Sequence, residues 1–351
     1  MYHRASIRGD YRDFEDVERL INKAIGLRGA KEDLCLLKAN LDFKLHRVDR
    51  VKSDLAMTPR LAGRPEGKAL MADLLFQVGR YSEAGESYRE LVRESPSWDN
   101  LARLAYFQFK MGDVEEAEKL YLEAEDELTA KEMRSYAWLE LQRGVLDLTY
   151  GRYDAAEEHY RRADRAYSGF WQVQEHMAEL LAARGEFDKA IELYGRVLAR
   201  VPRPDFQQTL GELYAFIDEP TKAEPWLDRA LAGYLESVAA GHVHYYHHLT
   251  DYFADVRPNG PEAVKWAYKD FQLRSNYGTQ AGLAWAHYAN GDLHDAIVFI
   301  ELALASGVRE AGLFSLAAKI YRAAGRDLES EQFRSKAAAI NPHFENFHVH
   351  R

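Results

Sequence analysis

Four times in this chain a glycine is followed five residues later by an alanine, and four residues after that by a tyrosine. The sets are Gly79/Ala84/Tyr88, Gly112/Ala117/Tyr121, Gly151/Ala156/Tyr160 and Gly185/Ala190/Tyr194, and Gly291/Ala296/Ile300 repeats the pattern with an aliphatic residue last. Successive glycines of the first four sets stand 33, 39 and 34 residues apart. A period of this length belongs to stacked helix pairs, each too small to bury its own apolar face, so that neighbours share one continuous core. The expected fold is an all-α solenoid. Such a fold offers a long curved surface rather than an enclosed reaction chamber.

Length alone, 351 residues, would suggest two compact domains, but a solenoid grows by adding units to a single core. The 47% of apolar residues is ample for that core, and no stretch approaches the roughly 20 apolar residues of a membrane span. The net charge of −10 speaks against a nucleic-acid groove, which needs clustered cations facing phosphates. Cys35, the one cysteine, excludes an intramolecular disulfide framework and a thiolate metal cluster, and in Leu34-Cys35-Leu36-Leu37 it reads as a buried small hydrophobe.

Enzyme signatures are missing from the sequence: there is no GxxxxGK[ST], GxSxG, HExxH or EF-hand loop. Carboxylate pairs such as Glu115-Glu116 lie on helices otherwise rich in charge and read as solvated faces. The expectation is therefore no catalysis and no cofactor. At the amino terminus no basic–apolar–small leader pattern is present. Residues 14–25 (FEDVERLINKAI) read as the second helix of a repeat without its first, so the expectation is a capping half-repeat over residues 1–30 and a cytoplasmic protein. The alternative is a chain that begins after a removed leader, which would make it periplasmic or exported.

With the Gly-Ala-Tyr sets as a ruler, units begin near residues 31, 65, 98, 137, 171, 204, 244, 277 and 311 and fill residues 31–344. The longer steps, 98 to 137 and 204 to 244, call for extended second helices or loops. The unit at 171 shows the logic. QVQEHMAELLAA sets Val173, Met177, Leu180 and Leu181 at helical spacing, and Gly185 ends that helix. Asp188 suits the free N–H groups opening the next helix, Ala190 allows close approach, Tyr194 fills the gap between neighbours and Pro202 ends the unit.

These residues resemble the tetratricopeptide repeat (TPR) family, whose 34-residue helix-turn-helix carries a small residue at position 8, Gly or Ala at 20, an aromatic at 24, Ala at 27 and Pro at 32. Those places hold Ala178, Ala190, Tyr194, Val197 and Pro202 in one unit, and Ala72, Ala84, Tyr88, Leu91 and Pro96 in another. The resemblance covers residues 11–344 and is to bacterial-type multi-repeat solenoids. It implies a right-handed superhelix of about nine units plus the N-terminal capping helix. The unit at 31, with Arg50 and Asp54 at the small and aromatic places, departs most, and Asn259-Gly260-Pro261 makes an irregular turn in the unit at 244. RNA-binding pentatricopeptide repeats have similar length, but the acidic balance and the small residues at positions 8 and 20 favour TPR.

The resemblance further implies that positions 2, 5, 9 and 12 of each first helix line a concave groove. The candidate lining then includes Phe76, Tyr106, Phe109, Glu175, Glu179, Tyr245, His248, Tyr252, Trp285 and Tyr288. Aromatics mixed with carboxylates suit a peptide or protein carrying Lys, Arg or aromatic side chains. The alternative for these aromatics is that half of them belong to the core between repeats. Chaperone-binding TPRs clamp a terminal carboxylate with Lys and Asn at positions 5 and 9; Ala69/Asp73 and Glu175/Glu179 have the wrong sign for that partner.

Nine of the thirteen histidines fall at or after residue 242. If His242–His248 is helical, His244 and His248 share a face with His247 beside them, and a further ligand from Asp251, Asp255, His287, or the tail residues His348 and His350 would complete a Zn²⁺, Ni²⁺ or Cu²⁺ site. The competing reading is packing and capping between repeats. The tail, residues 345–351, carries phenylalanine and histidine where solenoid ends are polar, which suggests that it folds back onto the last helices. The sequence thus points to a non-enzymatic binding scaffold, with transition-metal handling as the alternative.

Overall fold

The computed structural model describes residues 2, 5, 6 and 11–347. Among the described residues there is no strand, and 20 α-helices stack in consecutive pairs. First helices run Glu32–Lys44, Pro65–Gln77, Trp98–Met111, Met133–Thr149, Trp171–Ala183, Pro204–Phe216, Tyr246–Asp251, Tyr277–Ala289 and Ala311–Ala323. Their partners run Val48–Ala56, Tyr81–Glu94, Val114–Asp126, Tyr153–Ala166, Phe187–Arg200, Pro220–Ala239, Gly260–Leu273, Leu293–Ala305 and Asp327–Ile340. The Arg12–Arg28 helix precedes them, and Pro59–Ala62 is a single turn.

The periodic residues form the packing inside and between pairs. Ala84, Ala117, Ala156, Ala190 and Ala296 are fully buried, as are Tyr121, Tyr160, Tyr194 and Ile300, with Tyr88 close behind. Each large side chain stabilises the stack by on the order of 2 kcal/mol through the apolar area it removes from water, and each alanine methyl by roughly 0.8 kcal/mol. Gly144 shows why position 8 must be small: a Cβ there would sit 2.3 Å from the Tyr160 ring. The long steps have two different causes. Residues 127–132 and a 17-residue following helix that begins early, at Met133, lengthen the step from 98 to 137, whereas a 20-residue second helix, Pro220–Ala239, lengthens the step from 204 to 244.

Where the glycine ruler skips a unit, another residue takes the same left-handed backbone. His46 has φ 60° and Asp218 has φ 61°, each standing 33 residues from the neighbouring turn glycine, Gly79 or Gly185. In the unit at 31 the aromatic place holds buried Asp54, which Lys38 pairs together with Asp42. In the unit at 244 the first helix is cut to Tyr246–Asp251 and continues as a wide π-turn, Tyr252–Val256; Asn259-Gly260-Pro261 is not the irregular turn expected but a capped helix start, with Asn259 accepting from the Glu262 amide at 3.3 Å.

The spiral is not open. Loops of the C-terminal third rest on the hairpin turns of units one superhelical turn earlier. Asn276 Nδ2 donates to the carbonyl of Gln77 at 3.1 Å, and the amide of Tyr277 donates to Tyr81 Oη at 2.7 Å. One unit further on, the amide of Arg309 donates to the Lys110 carbonyl at 3.0 Å, while Lys110 forms an ion pair with Glu310. Beyond that, Asn341 and His343 pack on Gly151, and Asn346 Nδ2 donates to the Ala183 carbonyl at 3.0 Å.

The tail follows the same seam, which corrects its expected course. Phe344 does pack on the last helices, but Phe347 crosses to Phe216 and Phe187, with centroids 5.1 and 6.5 Å away. Its apolar surface finds the nearest uncovered core, which belongs to the adjacent turn rather than to its own. Residues 348–351 lie outside the described residues.

Candidate functional site

Two contacts join candidate side chains of neighbouring first helices. Phe76, at position 12 of its unit, meets the Tyr106 ring at position 9 of the next, with centroids 5.9 Å apart. Asp255, also at position 12, accepts a hydrogen bond from Trp285 Nε1 at position 9 of the following unit, at 2.9 Å. Between them in sequence, Arg103 bridges Asp73 (3.1 Å) and Asp99 (2.9 Å), while Tyr88 donates to Asp73 at 2.9 Å. At these two places neighbouring first helices touch through the same pair of positions, 12 and 9.

The candidate residues divide by depth. Phe76, Phe109, Glu175, Glu179, Tyr245 and Tyr252 are buried. Tyr252 sits on the π-turn, whose extra residue rotates it into the core, where its hydroxyl donates to the Leu227 carbonyl at 3.1 Å. Tyr245 packs against Tyr234 and Tyr11, with centroids 5.1 and 5.7 Å away. Glu175 accepts from Tyr194 Oη at 3.2 Å, so its charge is spent within the repeat. Tyr106 remains 38% exposed; His248, Trp285 and Tyr288 are partly exposed, and Trp285 stacks on Tyr288 at 4.9 Å.

The electrostatics around these residues are uneven. Burial alone would lower the His176 pKa, but the Glu175 and Glu179 carboxylates outweigh it and raise the imidazole to about 9. That places a proton between the two acids at neutral pH. Asp251 is the opposite case. Burial, then the neighbouring Asp255, Glu212 and Asp270 carboxylates, push its pKa well above the ordinary aspartate value. Carboxylates crowd here, although Asp270 is paired with Arg274 at 3.0 Å.

Three cations escaped sequence reasoning. Arg203 lies over the rings of Phe206, Tyr11 and Trp171, at 4.9, 5.2 and 5.6 Å, and is paired with Asp205 at 2.6 Å. Lys110 lies 5.0 Å from the Phe109 ring centre and 5.3 Å from that of Tyr106. Lys44 lies over Phe14 at 5.5 Å. Lys110 has its rings on its own helix, whereas Arg203 also draws on Tyr11 and Trp171 and Lys44 on Phe14, rings that lie far off in sequence.

The histidine cluster assembles differently from the helical expectation. His244 lies in the turn before the Tyr246–Asp251 helix, so the i, i+4 face with His248 does not form. Its ring stacks on Tyr11 at 3.8 Å, neither ring nitrogen has a hydrogen-bond partner, and burial with the nearby His242 and Arg203 lowers its pKa to about 3. His247 stands 3.5 Å from an Arg274 guanidinium nitrogen, and His248 stacks on Tyr234. Among the described residues no three ligand atoms converge there, and the flanking guanidinium groups disfavour a dication. His348 and His350 lie outside the described residues. Two ligand groups do converge elsewhere: Glu175-His176-Glu179, and His287-Asp292-Asp295.

The paired helices and the 34-residue register define an α-solenoid of the helix-turn-helix repeat class. A family profile described as tetratricopeptide repeat matches residues 148–213, and one described as the TT21 fifth ARM repeats domain matches residues 66–168. Over residues 148–213 the chain is similar to tetratricopeptide-repeat proteins, in keeping with its paired helices. No curated protein sequence matches it.

Similar solved structures include the Cut9–Hcn1 hetero-tetramer of APC/C, at 16% identity and a TM-score of 0.49, covering 90% of this chain. This chain spans 61% of that one, less than two thirds of its length. A tetratricopeptide repeat protein from Parabacteroides merdae aligns at 21% identity and TM-score 0.41, over 69% of this chain and 93% of the other. The human IFIT1 dimer with PPP-AAAA aligns at 14% identity and TM-score 0.49, over 88% and 72%. Among the described residues no helix is long and apolar enough to cross a membrane.

Proposed function

We propose that this protein is a non-enzymatic scaffold that binds a protein or peptide on its inner face, and that the segment it recognises carries Lys or Arg beside an aromatic residue. The supporting observation is the Trp285–Tyr288 stack, held by Asp255 near the half-buried carboxyl of Asp251. Lys319 already lies 5.5 Å from the centre of the Trp285 ring, which leaves the partly exposed Tyr288 ring as the π-face on offer, and the Asp255 carboxylate supplies negative charge. Together they suit a cationic side chain, through a cation–π contact worth roughly 0.5–2 kcal/mol and an ion pair in partly desolvated surroundings. Tyr106, half a superhelix away in sequence, gives a second exposed ring at the same repeat position as Trp285.

The test is a displayed library of short random peptides selected against the intact chain. Enrichment of Lys or Arg next to an aromatic, with binding weakened at least tenfold by Trp285→Ala and Tyr288→Ala, is the expected result. Selection of acidic or featureless peptides, or binding indifferent to both substitutions, would sink the assignment. Tyr252, being core, is unsuitable for such a test.

A further inference from the structure

The hairpin between Tyr277–Ala289 and Leu293–Ala305 gathers three ligand-type side chains. His287 ends the first helix, Asp292 caps the second, and Asp295 lies in its first turn. Gly291, with φ 81°, reverses the chain so tightly that the Asp292 amide donates to the His287 carbonyl at 2.9 Å. That reversal brings Asp292 Oδ2 to 3.3 Å and Asp295 Oδ2 to 3.9 Å from His287 Nδ1, with all three ligand atoms within 4.8 Å of one another.

His287 is only 5% exposed, and its Nδ1 has no hydrogen-bond partner although it is aimed at both carboxylates. The ring is held on its other sides. Its plane stacks on Phe299 at 5.6 Å, and Nε2 faces the Tyr268 hydroxyl at 3.4 Å. When Nε2–H donates to that hydroxyl, Nδ1 presents a lone pair. Three acceptors then face one another with no donor between them. A buried acceptor left in that state is costly, and a cation placed between the three satisfies all of them at once.

The geometry points to a divalent metal site formed by His287 Nδ1, Asp292 Oδ2 and Asp295 Oδ2, separate from the His242–His248 cluster. One imidazole and two carboxylates match the borderline-hard ions, Zn²⁺ before the others. Bonds of roughly 2.0–2.2 Å in a tetrahedron put ligand atoms about 3.3–3.6 Å apart, so the His287–Asp292 edge is already formed. Asp295 needs only a side-chain rotation. Both carboxylates keep about two fifths of their surface in solvent (39% and 41%), which leaves coordination positions for water or for a donor from a bound protein. Exposed His294 is the other titratable group near Asp292.

The test uses the full chain without a polyhistidine tag, stripped by chelator and titrated with Zn²⁺ alone by equilibrium dialysis. Co²⁺ serves as a coloured reporter of coordination. The decisive variant is Asp292→Asn with Asp295→Asn, which preserves the helix cap because Asn caps about as well as Asp. Zinc affinity at least tenfold weaker in that variant, and unchanged in His247→Ala with His248→Ala, is the expected pattern. His287→Gln should give the same loss and replaces the double variant if that one loses helicity. Zinc uptake equal in all variants overturns the site, as does failure of the wild-type chain to bind at about 100 μM. Nitrogen chemical shifts showing both His287 ring nitrogens protonated in excess zinc would also overturn it, because a proton would then fill the place given to the metal.

Discussion

The amide of Arg309 donates to the carbonyl of Lys110 at 3.0 Å, joining two units that lie one full superhelical turn apart. Beside this bond Lys110 and Glu310 form an ion pair between side chains that keep only 15% and 19% of their surface in solvent. Burial alone would lower the Lys110 pKa, yet Glu310 raises it well above its ordinary value. Successive turns of the solenoid are therefore joined by backbone bonds and by a shielded charge pair.

Removing one member of that pair strands the other. Lys110→Met should cost about 3 kcal/mol or more in urea unfolding, the scale for an uncompensated buried charge. Adding Glu310→Leu to it should recover most of the loss. A cycle in which the two single costs simply add would show that the turns do not depend on this contact.

Two turn glycines allow a controlled comparison. Gly79 and Gly291 have φ of 77° and 81°, so alanine is strained at both by roughly 1 kcal/mol. Only at Gly79 would the new methyl also meet the next turn, 2.6 Å from the Ser275 carbonyl oxygen; nothing lies within 4 Å at Gly291. Gly79→Ala should thus destabilise by at least about 1 kcal/mol more than Gly291→Ala. Asp218→Gly should act in the other direction, stabilising by a few tenths to about 1 kcal/mol by removing a left-handed non-glycine. Thermal unfolding of the three variants checks the order.

The His176 ion pair predicts a pH dependence of stability. Its folded pKa of about 9 lies above the ordinary 6.5, so the folded state holds the proton more tightly than the unfolded chain. That stabilisation is complete below pH 6.5 and disappears as pH rises from 6.5 through about 9. The stability gap between wild type and His176→Gln should be largest near pH 6 and shrink steadily up to pH 9. A constant gap would mean that the imidazole contributes by packing alone.

Asp251 carries the opposite sign. Its folded pKa is raised, so ionisation costs stability as pH rises from the ordinary aspartate range through the folded value. Asp251→Asn should raise stability at pH 7, by roughly 1–2 kcal/mol on the usual scale for relieving one buried mismatch, with the gain vanishing in acid. The same change should weaken capture of a basic peptide. A variant both more stable and equally good at binding would separate this carboxylate from the inner-face function.

The helix pairs were legible before any coordinates because their requirements are local. A turn needs a residue tolerant of positive φ, a crossing needs alanine, and a gap needs tyrosine, so Gly185, Ala190 and Tyr194 announce a unit within ten residues of chain. Register alone named the inner-face candidates: Tyr106, Trp285 and Tyr288 keep exposed surface, whereas Phe76, Phe109, Glu175, Glu179, Tyr245 and Tyr252 are buried. One extra residue in the π-turn was enough to rotate the Tyr252 ring into the core. Depth depends on neighbours from other units, and position number alone does not carry it.

Sequence by itself determined the repeat, its length and the all-helical character, since each follows from residues within one unit of each other. Tertiary structure alone decided that the turns close on one another, that Lys110 meets Glu310, and that Phe347 seats between Phe187 and Phe216. The accumulated rotation of many units sets those contacts. Its small increments are summed over nearly two hundred residues, and no local pattern encodes that sum.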